Sequence, residues 1–395
     1  MRRFFSFSHM AAGFISVLVG FTSSAVIVFQ SATQLGATPD EVSSWLFALG
    51  LSIAITCIGL SLRYRMPILT GWSTPGAALL VTTLNDITMP EAIGAFMFAA
   101  LLTILAGTTG LFKKLITRIP HSLSSAMLAG ILFHFGLNVF IAMQEQFSLV
   151  CAMLLTHLIG KRFFSRYSIL FVLIVGISIA LSQGLFHTEG LHLTFAVPVL
   201  TMPIFTISTL ISIGIPLFFV TMTSQNIPGM AVLNASGYKP PISSIVSWTG
   251  LTTFLLAPFG CYSVNLAAIS AAVCTGKEAD PDPSKRYRAT LFAGLCWLVI
   301  AILGSTVVTL FSAFPNALIL AIAGIAMIGT IGTSLKNALD KDTEREPALI
   351  TLLISSSGMS LFGLGSAFWG IIAGTLAMVI LNWRKQGELT LKPAA

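Results

Sequence analysis

The sequence predicts an all-α polytopic membrane protein with fourteen transmembrane segments, arranged as two inverted repeats of seven. Three observations lead to this prediction. Hydrophobic residues make up 55% of the 395 residues and charged residues only 9%, whereas soluble globular domains carry roughly 25% charged residues. Basic residues are confined to alternate loops between apolar segments. Two short apolar segments, one in each half of the chain, are interrupted by Gly, Ser and Pro.

Twelve of the apolar segments are close to the roughly 20 residues that a helix needs to cross the hydrocarbon core. They begin near Met10, Glu41, Glu91, Ser122, Phe147, Tyr167, Ile204, Pro241, Arg288, Pro315, Pro347 and Gly365. The first follows two arginines, as a signal peptide would, but it has no convincing cleavage site and is expected to remain as a span. The interrupted segments, 68–83 and 259–274, bring the count to fourteen.

The distribution of Lys and Arg tests that count, because cytoplasmic loops of membrane proteins are enriched in basic residues. With the N-terminus inside, all 21 basic residues fall on the cytoplasmic side, and both termini are cytoplasmic. Their groups are Arg2 and Arg3; Arg63 and Arg65; Lys113, Lys114 and Arg118; Lys161, Arg162 and Arg166; Lys239; Lys277, Lys285, Arg286 and Arg288; Lys336, Lys341 and Arg345; and Arg384, Lys385 and Lys392. This alternation requires both interrupted segments to cross. The net charge of +7 therefore indicates loops at a membrane rather than a nucleic-acid surface.

The two halves show a weak internal similarity. "TSSAVIVFQSATQLGATP" and "TSQNIPGMAVLNASGYKP" share their first two residues, a glycine and the final proline at an offset of about 201 residues. Pro67 and Pro258 precede the two interrupted segments. Interrupted hydrophobic segments at corresponding places in two halves are a pointer to a transporter binding site.

The interruptions are expected to form half-helices, since irregular backbone in a bilayer is tolerated only where it is buried in protein or lines a cavity. In "GWSTPGAALL" the sequence predicts an extended stretch, then a helix with Thr74 as N-cap and Pro75 in its first turn, ending at Leu84. In the partner segment we expect 259–262 to be extended and Ser263 to cap a helix. The two helix N-termini would face each other and form an anion site without Arg or Lys. The alternative is that both interruptions are packing kinks.

Five stretches resemble a known family: "GWSTPGAALL", "IPHSLSSAMLAGIL", "SQNIPGMAVLNASGY", "FGCYSVNLAAISAAVC" and "GSAFWGIIAG". They are similar to the benzoate:proton symporter family, known as BenE, over about Gly13 to Asn382. More distantly, the topology resembles uracil-permease-type symporters and sulfate and bicarbonate carriers. The resemblance implies proton-coupled symport of benzoate or a related aromatic carboxylate across a bacterial inner membrane.

The resemblance also implies a division into two domains that move against each other, commonly within a homodimer. The core domain would comprise 10–112 and 204–312, and the gate domain 121–185 and 315–383. No cofactor is implied. The five cysteines show no CxxC spacing or His partner, so neither a metal site nor a disulfide is expected.

The nucleobase relatives typically carry a glutamate in span 8 and another in span 10. The corresponding neighbourhoods here hold only neutral residues, Ser224, Gln225 and Asn226 in span 8 and Asn265 in span 10. Because two buried carboxylates would repel a carboxylate substrate, their absence favours an organic anion. A nucleobase or inorganic-anion carrier on the same fold is the alternative. A channel fits the inverted repeat less well. The sequence lacks the motifs that would indicate an enzyme, which are HExxH, GxSxG with partners and a mid-membrane acid pair.

Hydroxyls, amides and backbone N–H groups are the candidate ligands of the carboxylate. The predicted substrate-binding residues are Ser73, Thr74 and Gly76 in span 3, Tyr262, Ser263 and Asn265 in span 10, Ser23 and Ser24 in span 1, and Ser224, Gln225 and Asn226 in span 8. The alternative for the polar patches is hydrogen bonding between helices. Tyr262, Trp72 and Phe21 offer rings for stacking.

The candidates for proton coupling are His134, deep in predicted span 5, and Glu91, at the start of span 4. No Asp or Glu lies in mid-span. His134 would equally suit a hydrogen bond to a neighbouring helix, and Glu91 a helix N-terminal charge. The proton could also travel on the substrate carboxylate itself.

Overall fold

The computed structural model describes residues 4–83, 87–110, 120–164, 168–186, 193–267, 270–277, 279–361 and 364–389. Most of these residues are helical, and short strands pair into two antiparallel sheets. The first half contains α1 (Phe7–Gln34), α2 (Pro39–Tyr64), β1 (Thr70–Trp72), α3 (Thr74–Thr83), α4 (Met89–Thr108), α5 (His121–Glu145), α6 (Phe147–Phe163) and α7 (Ser168–Ser182). The second half contains α8 (Ile207–Asn234), α9 (Ile242–Leu256), β2 (Val264–Leu266), α10 (Ala271–Thr275), α11 (Tyr287–Ile302), α12 (Gly304–Ser312), α13 (Asn316–Leu339), α14 (Arg345–Ser356), β3 (Ser360–Leu361), β4 (Leu364–Gly365) and α15 (Ser366–Leu389).

Capping boxes set the starts of α2 and α4. At α2 the Glu41 carboxylate accepts from Thr38 N at 2.8 Å, and Thr38 Oγ1 accepts from Glu41 N at 3.3 Å. At α4 the Glu91 carboxylate accepts from the backbone N and the hydroxyl of Thr88 at 3.0 and 2.7 Å. Such reciprocal bonds satisfy backbone N–H groups that a helix start leaves without partners. Glu91, a candidate for proton coupling, is therefore held as a helix cap.

Helices pack closely where glycines replace side chains. α2 packs against α11 and α4 against α9, while α5 packs against α13 and α14. A Cβ on Gly50 of α2 would lie 2.9 Å from Ala301 Cβ of α11, and one on Gly250 of α9 would lie 3.0 Å from Ile104 Cγ1 of α4. Small residues at such contacts allow backbones to approach, which is how helices associate in apolar surroundings.

Length and composition identify fewer spans than the sequence prediction. In the described ranges six helices are long and apolar enough to cross a membrane, or eight if each of two bent helix pairs is one span. One bent pair is α11 with α12, which turn by 72° within the predicted eleventh span. The other lies within α1, which bends by 43° between Phe7–Thr22 and Ser24–Gln34.

The two interrupted segments meet as a two-stranded antiparallel sheet. β1 pairs with β2 in the register Thr70↔Leu266, Gly71↔Asn265 and Trp72↔Val264. α3 follows β1 directly, and α10 follows β2. Because the strands are antiparallel, the chain leaves the sheet in opposite directions after Trp72 and after Leu266.

The predicted N-cap of α3 is shifted by one residue. Ser73 Oγ accepts from Gly76 N at 3.0 Å, and Ala77 N donates to Ser73 O at 2.9 Å, so Ser73 is the N-cap and Thr74 the first helical residue. The helix ends at Thr83, and the predicted end, Leu84, lies outside the described residues. A hydroxyl bond to the third helical N–H is the usual N-cap geometry.

The predicted helix after Ser263 is wrong. Ala257–Phe259 is a 3-10 turn, Gly260 has a positive φ of 99°, and the chain is extended through β2 before α10 begins at Ala271. The backbone around Ser263 pairs with the first interrupted segment, since Ser263 O accepts from Ser73 N at 3.3 Å. Pairing across the two halves therefore replaces the helix that local sequence favoured.

Gly260→Ala should lower stability, because an alanine there adopts an unfavourable left-handed conformation and its Cβ collides with the Trp45 ring. The conformation costs about 1–2 kcal/mol and overpacking about 1–3 kcal/mol more. Thermal unfolding of the purified protein in detergent, at one scan rate, measures the effect. Gly237→Ala is the matched control, since φ there is +86° but no atom lies within 4 Å of the added Cβ. An equal loss of Tm in both variants would contradict the prediction.

Candidate functional site

A cavity of about 430 Å³ lies beside the paired strands. The first interrupted segment contributes Trp72 and Thr74, and α8 contributes Gln225. From α6, His157 and Lys161 face the same cavity. Cavities of roughly 300–1,000 Å³ with a few polar groups among apolar side chains are typical of small-molecule sites.

A second cavity, of about 510 Å³, adjoins the first, because Thr74, Gln225, Ala326 and Gly329 line both. Its other lining residues are rich in hydroxyl, amide and imidazole groups and include His121, Ser124, Ser125, Thr223, Ser224, Thr330, Thr333, Ser334 and Asn337. A polar compartment therefore meets the first cavity at Thr74 and Gln225.

One wall of the first cavity is aromatic. The rings of Trp72 and Trp297 meet edge to face with centroids 4.8 Å apart, and Phe21 lies 5.7 Å from Trp72. Trp72 Nε1 donates to Ser24 Oγ at 2.7 Å, and this hydroxyl donates to Gly20 O at 2.8 Å. The hydrogen bond fixes the indole of Trp72, so the wall is preorganised for an apolar ring.

Four predicted site residues border the two cavities. Ser24 lines the first cavity, Ser224 lines the second, and Thr74 and Gln225 line both. Ser23 lies in α1, but its side chain is outside the described part of the chain. These residues bring hydroxyl and amide groups from α1, α3 and α8 to one place.

Four other predicted residues are buried and line neither of these two cavities: Ser73, Gly76, Tyr262 and Ser263. Tyr262 is fully buried, and its hydroxyl donates to Ser73 O at 2.9 Å. Ser263 Oγ lies 3.1 Å from Thr221 Oγ1, which also donates to Ser73 Oγ at 3.2 Å. A Cβ on Gly76 would lie 2.7 Å from Leu217 Cδ1, so Gly76 lets α8 approach α3. The ring of Tyr262 packs against protein and does not face the cavity.

The two asparagines bind backbone. Asn226 is 1% exposed, and its Oδ1 accepts from Leu266 N at 3.0 Å. Asn265 is fully buried. With its amide oriented to satisfy both atoms, Asn265 accepts from Ser73 N at 3.2 Å and donates to Leu266 O at 3.1 Å. Asn265 thus joins the two interrupted segments, and Asn226 joins β2 to α8.

His134 faces a different cavity. This cavity, of about 580 Å³, is bordered by Gln30, Thr82 and Asn138 among others. His134 Nε2 lies 2.8 Å from Ser356 O of α14, which is the interhelical contact considered as the alternative. The cavity that His134 borders has no described lining residue in common with the first cavity.

Sequence reasoning missed Trp297, His157 and Lys161. Trp297 is 4% exposed and comes from α11, which the sequence showed only as an ordinary apolar span. Lys161 was assigned to a cytoplasmic loop but lies inside α6. The spacing of His157 and Lys161, four residues apart, was a usable signal because it places both on one helix face.

Comparison with known proteins identifies the family. The family model described as benzoate membrane transport protein, BenE, matches residues 3–380. The chain belongs to this family. Inner membrane protein YdcO of Escherichia coli K12 is 45% identical over 373 residues, which are 94% of this chain and 95% of the relative. The benzoate membrane transport protein of Acinetobacter baylyi is 38% identical over 381 residues, 96% and 97% of the two chains. This BenE-family chain is a membrane transport protein and not an enzyme.

Solved structures share the fold. The transmembrane domain of the cyanobacterial bicarbonate transporter BicA has a TM-score of 0.61 at 14% identity, covering 93% of this chain and 97% of that chain. SLC26A9 has a TM-score of 0.56 at 12% identity, covering 94% and 65%. Inward-facing murine Slc26a9 gives 0.58 at 12%, covering 95% and 68%. At these identities the likeness shows the membrane-transporter fold of this BenE-family chain and no more.

Asn226→Ala in this BenE-family protein should act on stability. The buried N–H of Leu266 would lose its acceptor, which costs about 1–3 kcal/mol. Asn234→Ala is the matched control on the same helix, since Asn234 is exposed, and it should change stability by less than about 0.5 kcal/mol. The measurement is again thermal unfolding in detergent. An Asn226→Ala protein that keeps its Tm and loses only substrate affinity would instead make Asn226 a substrate ligand.

Proposed function

We propose that this chain is a secondary active transporter that carries benzoate or a related aromatic carboxylate together with a proton. The observation that carries the proposal is the cavity beside the paired strands, where an aromatic wall and a helix N-terminus meet. A one-ring carboxylate needs both features, since its ring favours apolar aromatic contact and its charge favours N–H donors.

The ring would lie against Trp72 and Trp297. These indoles are almost fully buried, at 6% and 4% exposed, yet both line the cavity. Aromatic pairs in offset or edge-to-face geometry contribute about 0.5–1.5 kcal/mol beyond the area that they bury. An inorganic anion would gain nothing from this wall.

The carboxylate would lie near the start of α3, where Thr74 faces the cavity. α3 has ten residues, and its N-terminus carries the positive end of the helix dipole. Gln225 of α8 completes this polar end. The opposite half-helix, α10, has only five residues and contributes less dipole than the sequence suggested.

We further propose that all fourteen predicted segments cross the bacterial inner membrane, with both termini in the cytoplasm. The clustering of basic residues in alternate loops and at the helix ends beside them supports this topology. The name of the Escherichia coli relative supports the location.

Transport would proceed by an elevator-like movement of core against gate, within a homodimer. The core would hold α1–α4 and α8–α12, and the gate α5–α7 and α13–α15, following the predicted boundaries 10–112, 121–185, 204–312 and 315–383. Packing supports the division, because the closest helix pairs, such as α2 with α11 and α5 with α13, lie within one group. The pairs also map onto each other under an inverted repeat, since α2 with α11 corresponds to α9 with α4.

The function is tested by uptake of radiolabelled benzoate into proteoliposomes, with and without an inward proton gradient. Gradient-dependent accumulation, blocked by unlabelled benzoate but by neither uracil nor sulfate, is the expected result. Bicarbonate is a further competitor because BicA shares the fold. Transport of uracil or an inorganic anion without benzoate uptake would overturn the proposal in favour of the alternative carrier. Benzoate flux without counterflow of preloaded substrate would indicate a channel.

Trp297→Ala should raise the KM for benzoate about tenfold, because the aromatic wall loses about 1–2 kcal/mol of ring contact. Trp248→Ala is the matched control, since Trp248 is 49% exposed on α9 and lines none of the cavities described above. Trp297→Phe should recover part of the affinity. Competition by cyclohexanecarboxylate, which has the same charge without the aromatic ring, measures how much of the effect is aromatic. Equal KM values in the two alanine variants would place the ring elsewhere.

A further inference from the structure

α6 places two ionisable side chains on one face of the cavity. His157 and Lys161 are four residues apart in a regular helix, so their side chains lie about one turn apart. Both border the cavity that also holds Trp72 and Thr74. Neither side chain belongs to the aromatic wall or to the start of α3.

His157 is held in a defined orientation. The ring nitrogen Nδ1 lies 3.1 Å from Ser168 Oγ, and the Ser168 hydroxyl donates to His157 O, also at 3.1 Å. Because the hydroxyl proton is used on the carbonyl, Nδ1 carries the proton that bonds to Ser168 Oγ. Nε2 is then the nitrogen at which an added proton can bind without breaking either contact.

Lys161 extends toward α13. Its Nζ lies 3.8 Å from the position of a Cβ on Gly329 of α13, which is an ordinary van der Waals distance. Among the lining residues that the structure describes, none is Asp or Glu. The ion pairs of the described chain involve other groups. The carboxylate of a bound substrate would therefore supply a negative charge opposite Lys161.

The helices packed against α6 are α5, α7 and α13. The described residues of α1, α7 and α13 that line this cavity with His157 carry no charge, and they are Ser16, Val19, Gly20, Thr22, Ser24, Ser168, Ile169, Leu170, Ala326 and Gly329. α5 contributes none of the described lining residues. Among the described lining residues, the charge that can act on the imidazole at short range is therefore Lys161.

We propose that His157 takes up the coupled proton at Nε2, and that Lys161 makes this uptake depend on the substrate carboxylate. This inference rests on the proposed proton-coupled function. With His157 neutral the empty cavity carries +1 from Lys161. A proton alone would place two cations one turn apart in apolar surroundings, which is unfavourable. A carboxylate together with a proton restores the charge of the empty cavity, so only the empty and doubly loaded forms carry the same charge.

Proton and substrate then bind cooperatively. By linkage, the factor by which the carboxylate favours the proton equals the factor by which the proton favours the carboxylate. Because a proton alone is disfavoured, little proton uptake at His157 would occur in the absence of substrate. A single proton site at His157 would couple at most one proton to each carboxylate, without any Asp or Glu among the described lining residues.

The test compares His157→Gln and Lys161→Met with wild type in proteoliposomes. In wild type, benzoate affinity should rise on lowering the pH through the titration of His157, and an inward proton gradient should stimulate uptake. In His157→Gln the gradient should no longer stimulate uptake, whatever rate remains, and affinity should be independent of pH. In Lys161→Met the affinity should fall on the order of tenfold and its pH dependence should shrink. Lys161→Arg should restore most of the affinity.

Arg162→Met is the matched control, because Arg162 is the next residue of α6, carries the same charge and does not line the cavity. Stimulation by the gradient in His157→Gln as in wild type would overturn the inference, as would loss of stimulation in His134→Gln alone. Unchanged benzoate affinity in Lys161→Met would overturn the role of Lys161. A wild-type protein that does not transport benzoate would instead overturn the proposed function itself. Monodispersity in detergent establishes that each variant is folded.

Discussion

The pairing of β1 with β2 places six residues of extended backbone deep within an apolar helical protein, where every N–H and C=O group needs a partner. The strands bond to each other on one side only, so their outer edges depend on helices. Thr70 N donates to Cys57 Sγ of α2 at 3.2 Å, and Val264 N donates to Thr253 Oγ1 of α9 at 3.1 Å. Asn226 of α8 supplies the acceptor for Leu266 N. This closed arrangement fixes the direction of both interrupted segments and hence the positions of Trp72 and the start of α3.

The same constraint explains why so many polar residues near the site are not free to bind substrate. A buried backbone N–H without an acceptor costs about 1–3 kcal/mol, so side chains that satisfy such groups have a structural role even when they lie beside a cavity. Ser73, Tyr262 and Asn265 belong to this layer, since each bonds within the interrupted segments or between them. Thr74 and Gln225 line the cavity instead and remain available to the proposed substrate.

The sequence predicted the helical membrane fold and the family, because apolar composition and the five family-like stretches can be read directly from the residues. It misplaced the helix start at Ser263, since the competing interaction is a strand pairing across about 190 residues of chain, between Trp72 and Val264. It also could not separate Asn226 from Gln225. Adjacent positions on a helix face different surroundings, and only packing decides that Asn226 contacts β2 while Gln225 faces the cavity. Lys161 was hidden for a related reason, because a basic residue near a helix end satisfies the positive-inside pattern wherever its side chain points.

The two sides of the cavity differ in the charge and type of their side chains, and this difference bears on which substrate would bind. The side built from the interrupted segments is neutral, and it offers dipoles, hydroxyls and the Trp72 and Trp297 rings, whereas the α6 side carries both ionisable groups. BicA and SLC26A9 share the fold at 14% and 12% identity, so the fold alone does not select the substrate. Selection must come from side chains that line the cavity. In the proposed function, the aromatic wall held by the bond from Trp72 to Ser24 favours a ring, and the lack of a carboxylate among the described lining residues favours an anion. The proposed substrate contacts lie on the first side and the proposed proton site on the second, so proton and carboxylate favour each other only while the two sides face one cavity. Release of one then weakens the binding of the other, which makes the proposed transporter a coupled carrier rather than a leak.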